Sequence, residues 1–255
     1  MQRHKKNGLE WLTFELLDNV KGLVHAVFTK KGGSNPAIGL NLGLHTIDEP
    51  THLQKNFDLI KDSLNLKRVT AAYQMHGIHT TLVTESHPSY ISKCDSLLTA
   101  SKNHALFISH ADCQAAIFYD PIHHALANVH SGWRGSVQNI YKATIHAMKK
   151  HFQSDPKDLL VCISPSLGPN FAEFINYKSE FPEAFWPFQI KENYFDFWEI
   201  SKEQLKSCGV LKSHIQVAQL CTVTEEEDFY SYRRQTKEFG KGPLKAANGT
   251  LAMLY

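Results

Sequence analysis

Five short segments of β-type character crowd the middle of the chain, at residues 69–74, 79–84, 105–109, 115–119 and 124–130, and no helical pattern separates them. This feature constrains the fold more than any other. A doubly wound parallel sheet needs a helix after nearly every strand, so strands that follow one another through turns indicate mixed sheets in an α+β protein. The Asp120-Pro121 step supplies one such turn, between the last two segments. Residues 22–29 (GLVHAVFT) predict a further strand, 159–164 (LLVCIS) another, and 215–220, 229–233 and 250–254 three more. Two helices are legible. Leu53, Phe57, Ile60 and Leu64 recur at helical spacing behind an Asp48-Glu49-Pro50 start signal, which predicts a helix over 50–65. Val137, Ile140, Tyr141, Thr144, Ile145, Met148 and Phe152 form the inward face of a second, beginning near Ser136, and a short helix is expected at 201–207.

No repeat and no Pro/Gly/Ser-rich linker divides the 255 residues, so a single domain over 1–255 is expected, with 1–21 as a peripheral N-terminal segment. The 27 basic and 25 acidic side chains nearly cancel, which gives no reason to expect nucleic acid or an anionic membrane as partner. No run approaches the roughly 18–20 apolar residues of a membrane span, and no apolar signal core follows the basic N-terminus. Five cysteines without a CxxC pair argue against a disulfide framework and for a reducing, cytoplasmic setting. The dinucleotide fingerprint, the phosphate loop, HExxH and the GxSxG elbow are all missing, which argues against a Rossmann dehydrogenase, a nucleotide-triphosphatase, a zincin and an α/β-hydrolase.

What remains is three polar clusters at strand ends: Gln74-Met75-His76-Gly77, His110-Ala111-Asp112-Cys113, and His130-Ser131-Gly132-Trp133-Arg134-Gly135. Two imidazoles and a thiolate form a plausible open zinc site with a fourth position for water. The intervals of 37 and 17 residues do not by themselves distinguish ligands from buried structural residues.

At these residues the sequence resembles the YfiH family, long labelled multicopper polyphenol oxidases or laccases. The family's QxHG, ADC and HxGWRG segments occur in order at 74–77, 111–113 and 130–135. Phe28-Thr29-Lys30-Lys31-Gly32-Gly33, Leu40-Asn41-Leu42-Gly43, Asp95-Ser96-Leu97-Leu98-Thr99, Cys221-Thr222 and Phe229-Tyr230-Ser231-Tyr232-Arg233-Arg234 match flanking segments, so the resemblance spans roughly residues 22–254. It implies an α/β/β/α sandwich and zinc held by His76, Cys113 and His130. It also implies purine nucleoside chemistry: phosphorolysis of adenosine, inosine, guanosine and methylthioadenosine, and deamination of adenosine. Two alternatives attach to the same family, a cysteine-type amidohydrolase editing peptidoglycan precursors, with Cys113 as nucleophile and His130 as base, and the polyphenol oxidase of the old label, with copper in place of zinc. The oxidase needs more copper ligands than this pattern supplies.

Small-molecule substrates, a purine nucleoside and phosphate, are therefore the expected partners. Asp112, beside Cys113, is the nearest proton shuttle. Arg134 lies in a Gly-flanked loop before the second helix, suited to phosphate. Trp133, Gln74, Lys30 and Asn41 are expected to bind substrate. Three departures from the family pattern are visible: Ser164-Pro165-Ser166 replaces a GPC-type segment, Lys30 and Lys31 stand where Arg is common, and Arg234-Gln235 replaces an Arg-Asp pair.

Overall fold

The computed structural model describes residues 1–255. In chain order the strands are β1 (Gln2–Lys6), β2 (Leu9–Thr13), β3 (Leu23–Phe28), β4 (Arg68–Ala72), β5 (Thr80–Leu82), β6 (Tyr90–Ile91), β7 (Ser96–Thr99), β8 (His104–His110), β9 (Gln114–Asp120), β10 (Ala125–Ser131), β11 (Leu160–Ile163), β12 (Gln189–Lys191), β13 (Tyr194–Phe195), β14 (Ile215–Val217) and β15 (Asn248–Leu254). The helices are α1 (Glu15–Asp18), α2 (Pro50–Leu64), α3 (Trp133–Val137), α4 (Ile140–Phe152), α5 (Tyr177–Glu180), α6 (Phe197–Ser207) and α7 (Tyr232–Phe239). One sheet has seven strands in the order β1-β2-β3-β15-β8-β4-β6, and a second has six in the order β14-β11-β9-β10-β7-β5. Both mix parallel and antiparallel pairs.

The two sheets pack face to face, and each carries helices on its outer side, so the α/β/β/α sandwich is present. The burial pattern shows why the central segments read as apolar runs rather than as alternating ones. In β8, Leu106 and Ile108 enter the core between the sheets while Ala105 and Phe107 turn outward to the layer containing Ile60 of α2. In β9, Ala115, Ile117 and Tyr119 face the other sheet, and Ala116 and Phe118 pack with Tyr141, Ile145 and Met148 of α4. Strands covered on both faces have no polar side to reveal their period.

The inner face of β10 changes character along its length. Leu126 belongs to the core between the sheets. Two residues on, the buried Asn128 donates from its amide to the carbonyls of Leu106 and Thr250 in the opposite sheet, at 3.0 and 2.8 Å. Two residues further, on the same face by strand alternation, comes His130. The apolar core thus passes through a polar cross-link before it reaches the cluster described below.

The helix over 50–65 is found at Pro50–Leu64, with Pro50 in its first turn and left-handed Asn65 at its end. The second expected helix starts earlier and is broken. It begins at Trp133, ends at Val137, and restarts at Ile140 after Asn139, which takes φ 60° and accepts the Lys142 N–H on its side chain. Arg134 therefore lies inside α3 rather than in a loop. The helix expected at 201–207 is longer, because Asp196 caps α6 through the N–H groups of Trp198 and Glu199. The strand expected at 229–233 does not form. Arg234 reaches back to the carbonyls of Thr222, Val223 and Phe229, and Ser231 accepts the Arg234 N–H, which starts α7 where a ladder would have continued. The N-terminal segment occupies the edge of the seven-stranded sheet. Its β1 is mostly exposed, but β2 and the chain after it bury Leu9, Trp11, Leu12, Phe14 and Leu17 in the core.

On β3 of the same sheet, His25 is buried with 5% exposure, and its Nε2 accepts the Phe14 N–H at 2.8 Å. Burial, offset in part by Asp18, lowers its pKa to about 4. The native state therefore binds fewer protons than the unfolded chain between pH 6.5 and about 4. His25's contribution is complete above that window and is lost as pH falls through it, on the order of 3 kcal/mol. Urea denaturation as a function of pH should show this acid-side slope. His25→Gln, which keeps an acceptor for Phe14, should flatten it.

Candidate functional site

His76, Cys113 and His130 meet at one end of the sandwich, and one donor atom from each lies within 4.8 Å of the others. His76 projects from the loop after β4 with φ 59°, Cys113 from the turn between β8 and β9, and His130 from the last residues of β10. The two imidazole rings are perpendicular, with centroids 4.8 Å apart. Neither His79 nor His110 joins the group; His110 is buried and engages Thr250 Oγ1 at 2.8 Å. Three donors with a face left open is the arrangement of a catalytic rather than a closed structural metal site. The donor set, one thiolate and two imidazoles, suits zinc or copper.

The cluster depends on Gly132. A Cβ there would stand 2.7 Å from His76 Cδ2 and 3.1 Å from Cys113 Sγ, although the residue's own φ of −79° is ordinary. Its requirement for glycine is thus the closeness of the two side chains. The turn carrying Cys113 is held by Asp112, in the left-handed region at φ 80°. Asp112 Oδ1 accepts the Thr222 hydroxyl at 2.6 Å, Oδ2 accepts the Arg233 N–H at 2.5 Å, and its carbonyl accepts the Leu167 N–H at 2.8 Å. These bonds offset the cost of the strained backbone and fasten α7 beside the cysteine turn.

One residue central to the cluster was absent from the sequence-based site, Asp95. It is fully buried and accepts His130 Nδ1–H at 2.9 Å. The same carboxylate accepts the backbone N–H groups of Met75, His76 and Gly77 at 3.2, 2.9 and 2.9 Å. The signal available in sequence was an acid directly before a short β-type run, 95-DSLLT-99, which the fold buries completely.

The electrostatics of the cluster follow from burial working against charge pairing. Burial pushes the Cys113 thiol up, but the positive charge of His130 and the closeness of His76 outweigh it and bring the thiol well below its ordinary value. Burial alone would push His130 down, yet Cys113 and Asp95 hold it above the usual imidazole range. Burial likewise opposes ionisation of Asp95 but loses to His130 and the three backbone N–H groups, so its carboxyl stays below the usual carboxylate range.

A cleft of about 500 Å³ opens over the cluster. His76, Cys113, Asp112, Trp133 and Arg134 line it, together with Ser166, Leu167, Phe174, Phe197, Tyr232, Arg233 and Lys241. Arg134 lies over the Trp133 ring, 4.2 Å from its centroid, and forms no ion pair with a carboxylate; Arg233 faces Phe174. A small aromatic cluster of Phe181, Phe185 and Phe195 backs Trp133, Phe174 and Phe197 and fixes this wall. Ser166, in the segment that replaces GPC, accepts Trp198 Nε1–H at 2.8 Å.

Three expected substrate contacts lie outside the cleft lining. Asn41 is fully buried and committed to Thr46, Asp48 and the N–H groups of Gly43 and Ala247. Gln74 is braced against Ser109 through its backbone carbonyl and hydroxyl. Lys30 is tied by its main chain to Asp228 and Leu40. Asn41 and Gln74 thus have their amide groups occupied by the scaffold.

In protein stripped of metal, alkylation of Cys113 should rise with pH at a midpoint well below the ~8.5 of an ordinary thiol, while Cys94, Cys162 and Cys208, which burial raises, react far more slowly. Gly132→Ala should move that midpoint upward by separating Cys113 from His76. Mass-spectrometric alkylation profiles check both.

Residues 24–243 match the family model described as multi-copper polyphenol oxidoreductase laccase. The purine nucleoside phosphorylase of Bacteroides thetaiotaomicron is 27% identical over 247 residues, covering 88% of this chain and 90% of that protein. The purine nucleoside phosphorylase of Pseudomonas aeruginosa is 30% identical over 223 residues, covering 83% and 88%. Among solved structures, YlmD from Geobacillus stearothermophilus superposes with a TM-score of 0.85 at 24% identity, covering 98% of this chain and 97% of that one. The Bacillus licheniformis protein YfiH does so with 0.84 at 24%, covering 97% of each. With the sandwich, the three ordered motifs and a match over most of its length, the chain belongs to the YfiH family, the group that carries the multi-copper polyphenol oxidoreductase laccase description.

Proposed function

We propose that this protein is a zinc-dependent purine nucleoside enzyme that phosphorolyses adenosine, inosine, guanosine and methylthioadenosine and deaminates adenosine. One observation carries the reading: a thiolate–imidazole donor cluster, an aromatic wall and three cations share a single cleft. Relatives named purine nucleoside phosphorylase support the same substrate class.

Phosphorolysis breaks the bond between the purine nitrogen and the anomeric carbon, and a phosphate oxygen forms the new bond to that carbon. The bonding electrons leave with the purine, which takes up the proton that hydrogen phosphate brought. Asp112 is the one carboxylate on the cleft wall, and in this reading it relays that proton in exchange for its bond to the Thr222 hydroxyl. Arg134 and Arg233 present planar forks to phosphate, and Lys241 adds a point charge. Trp133, Phe174 and Phe197 offer ring faces and edges to a base. In deamination, water adds at the purine carbon that bears the amino group and ammonia leaves.

His76, Cys113 and His130 would hold the ion, which when bound supplies Lewis acidity and brings the pKa of a water toward neutrality. One three-donor cluster holds one ion, so it does not support a multicopper oxidase. A second reading has specific support. Cys113, His130 and Asp95 also form a thiol–imidazole–carboxylate chain of the kind that activates a cysteine nucleophile for amide hydrolysis. Metal content separates the two, because a thiolate bound to zinc is not free to attack. No helix is long and apolar enough to cross a membrane. All five cysteines are free, which fits a cytoplasmic enzyme acting on small molecules.

Zinc-loaded protein incubated with adenosine and inosine should release free base and ribose 1-phosphate only when phosphate is present, with inosine from adenosine reporting deamination. Chromatographic product analysis checks this, and absence of both base and inosine would overturn the reading. Cys113→Ala should abolish zinc binding and activity while leaving the circular dichroism spectrum unchanged; hydrolysis of amide substrates by metal-free wild type would favour the second reading. Arg134→Ala should raise the KM for phosphate about 10-fold or more, the scale of a lost charge-assisted hydrogen bond, and an unchanged KM would remove Arg134 from the anion site.

A further inference from the structure

We infer that Asp95 is the positioning residue of the metal centre, a single buried carboxylate that sets the tautomer of His130 and at the same time holds the backbone from which His76 projects. The inference rests on the metal-binding reading of His76, Cys113 and His130.

The two carboxylate oxygens divide four donors between them. Oδ1 accepts His130 Nδ1–H and the His76 N–H, both at 2.9 Å, while Oδ2 accepts the N–H groups of Met75 and Gly77 at 3.2 and 2.9 Å. With Nδ1 donating to Asp95, Nε2 of His130 is the nitrogen left with a lone pair for an ion. The three successive N–H groups converge on one anion, forming a nest that sustains the left-handed backbone of His76 at φ 59°. Without that anchor a β-carbon-bearing residue has little reason to remain there.

The carboxylate is itself immobile. Its own N–H bonds the His79 carbonyl at 3.0 Å, and its carbonyl accepts the His130 N–H at 2.7 Å. No lysine or arginine pairs with it, so His130 and the nest are its whole complement. A divalent cation, the Cys113 thiolate and the Asp95 carboxylate sum to zero charge, a balance that favours a buried ion.

An amide at this position cannot replace the acid. After Asp95→Asn, the side-chain NH2 in one orientation would oppose the N–H groups of Met75 and Gly77, and in the other those of His130 and His76. Either way one ligand loses its support. Partners of this kind typically carry about 10–100-fold in metal affinity.

Zinc affinity of wild type and Asp95→Asn should be measured by competition with a chromophoric chelator, with the melting temperatures of the metal-free and zinc-loaded forms recorded alongside. We expect wild type to bind one zinc and the variant to bind about 10–100-fold more weakly, with a smaller zinc-induced rise in melting temperature. A purely structural Asp95 would lower the metal-free melting temperature but leave that rise and the affinity intact, and affinity within about twofold of wild type, far short of the loss expected for such a partner, would overturn the inference. Should Asp95→Asn fail to fold, long-range 1H–15N correlation spectra of zinc-loaded wild type decide: His130 protonated at Nδ1 with Nε2 metallated supports it, and the opposite tautomer overturns it. Wild type that binds no zinc would instead remove the metal reading itself, a result distinct from either.

Discussion

The face-to-face packing of the two sheets is the constraint on which the rest of the structure depends. It buries β8, β9 and β10 on both faces, so these strands are held in register by side chains above and below as well as by their ladders. A site built at the ends of such strands inherits their rigidity, and a metal cluster needs its donors held to fractions of an ångström. The transition from core to chemistry occurs along one face of β10. Leu126 fills the interior, Asn128 bridges to the opposite sheet, and His130 enters the cluster. Asn128 is costly to bury, and its Oδ1 finds no partner, but its amide nitrogen donates to two carbonyls of the other sheet and so forms a cross-link just behind the site.

Around the cluster a second pattern recurs, in which groups that strain the backbone also serve as anchors. Asp112 and His76 both occupy left-handed conformations, which ordinary residues avoid. Each is held by hydrogen bonds that also organise something else. Asp112 clamps the N-terminus of α7, which brings Arg233, Tyr232 and Thr236 to the cleft. His76 is held by a carboxylate shared with His130. Arg233 and the His76–Cys113–His130 cluster are thus each held beside the cleft by an acid, Asp112 and Asp95, although the chain's net charge is only +2.

The parts of this arrangement legible in sequence are those that rest on local pattern. The helix at Pro50–Leu64 carries a start signal and an apolar stripe, and the central strands carry β-type runs. The parts that were not legible depend on side-chain hydrogen bonds that no apolar period records. The break at Asn139 comes with its left-handed backbone and its side-chain cap on the Lys142 N–H, and residues 229–233 have a strand-like composition that Arg234 overrides by reaching back across the loop. Among the site residues, His76, Cys113 and His130 converge as expected, and Trp133, Arg134 and Asp112 line the cleft. Asn41 and Gln74 share motifs with the ordered set but commit their amides to the scaffold. Motif membership marks a residue as constrained without telling whether substrate or scaffold constrains it. Asp95 is the converse case, since its partners are three backbone N–H groups and an imidazole from two distant segments, and no spacing rule connects them.

The two chemistries weighed for this site differ less in residues than in what occupies them. Cys113, His130 and Asp95 form the same chain in either case, and a thiolate stabilised by an imidazolium is both a good nucleophile and a good soft ligand. His76 separates the two readings. A cysteine nucleophile needs one base, whereas here a second imidazole, on its own anchored backbone, joins the cluster, and the missing side chain of Gly132 leaves room for His76 and Cys113 to approach each other. The left-handed His76 supplies the third donor of the triangle, an element that the thiol–imidazole–carboxylate chain of the second reading does not need. His76 and Cys113 line the same cleft as Arg134, Arg233 and Lys241 and the rings of Trp133, Phe174 and Phe197. A cleft so lined suits a substrate that couples a flat base to an incoming anion better than it suits a phenol, which carries no charge for those cations to meet.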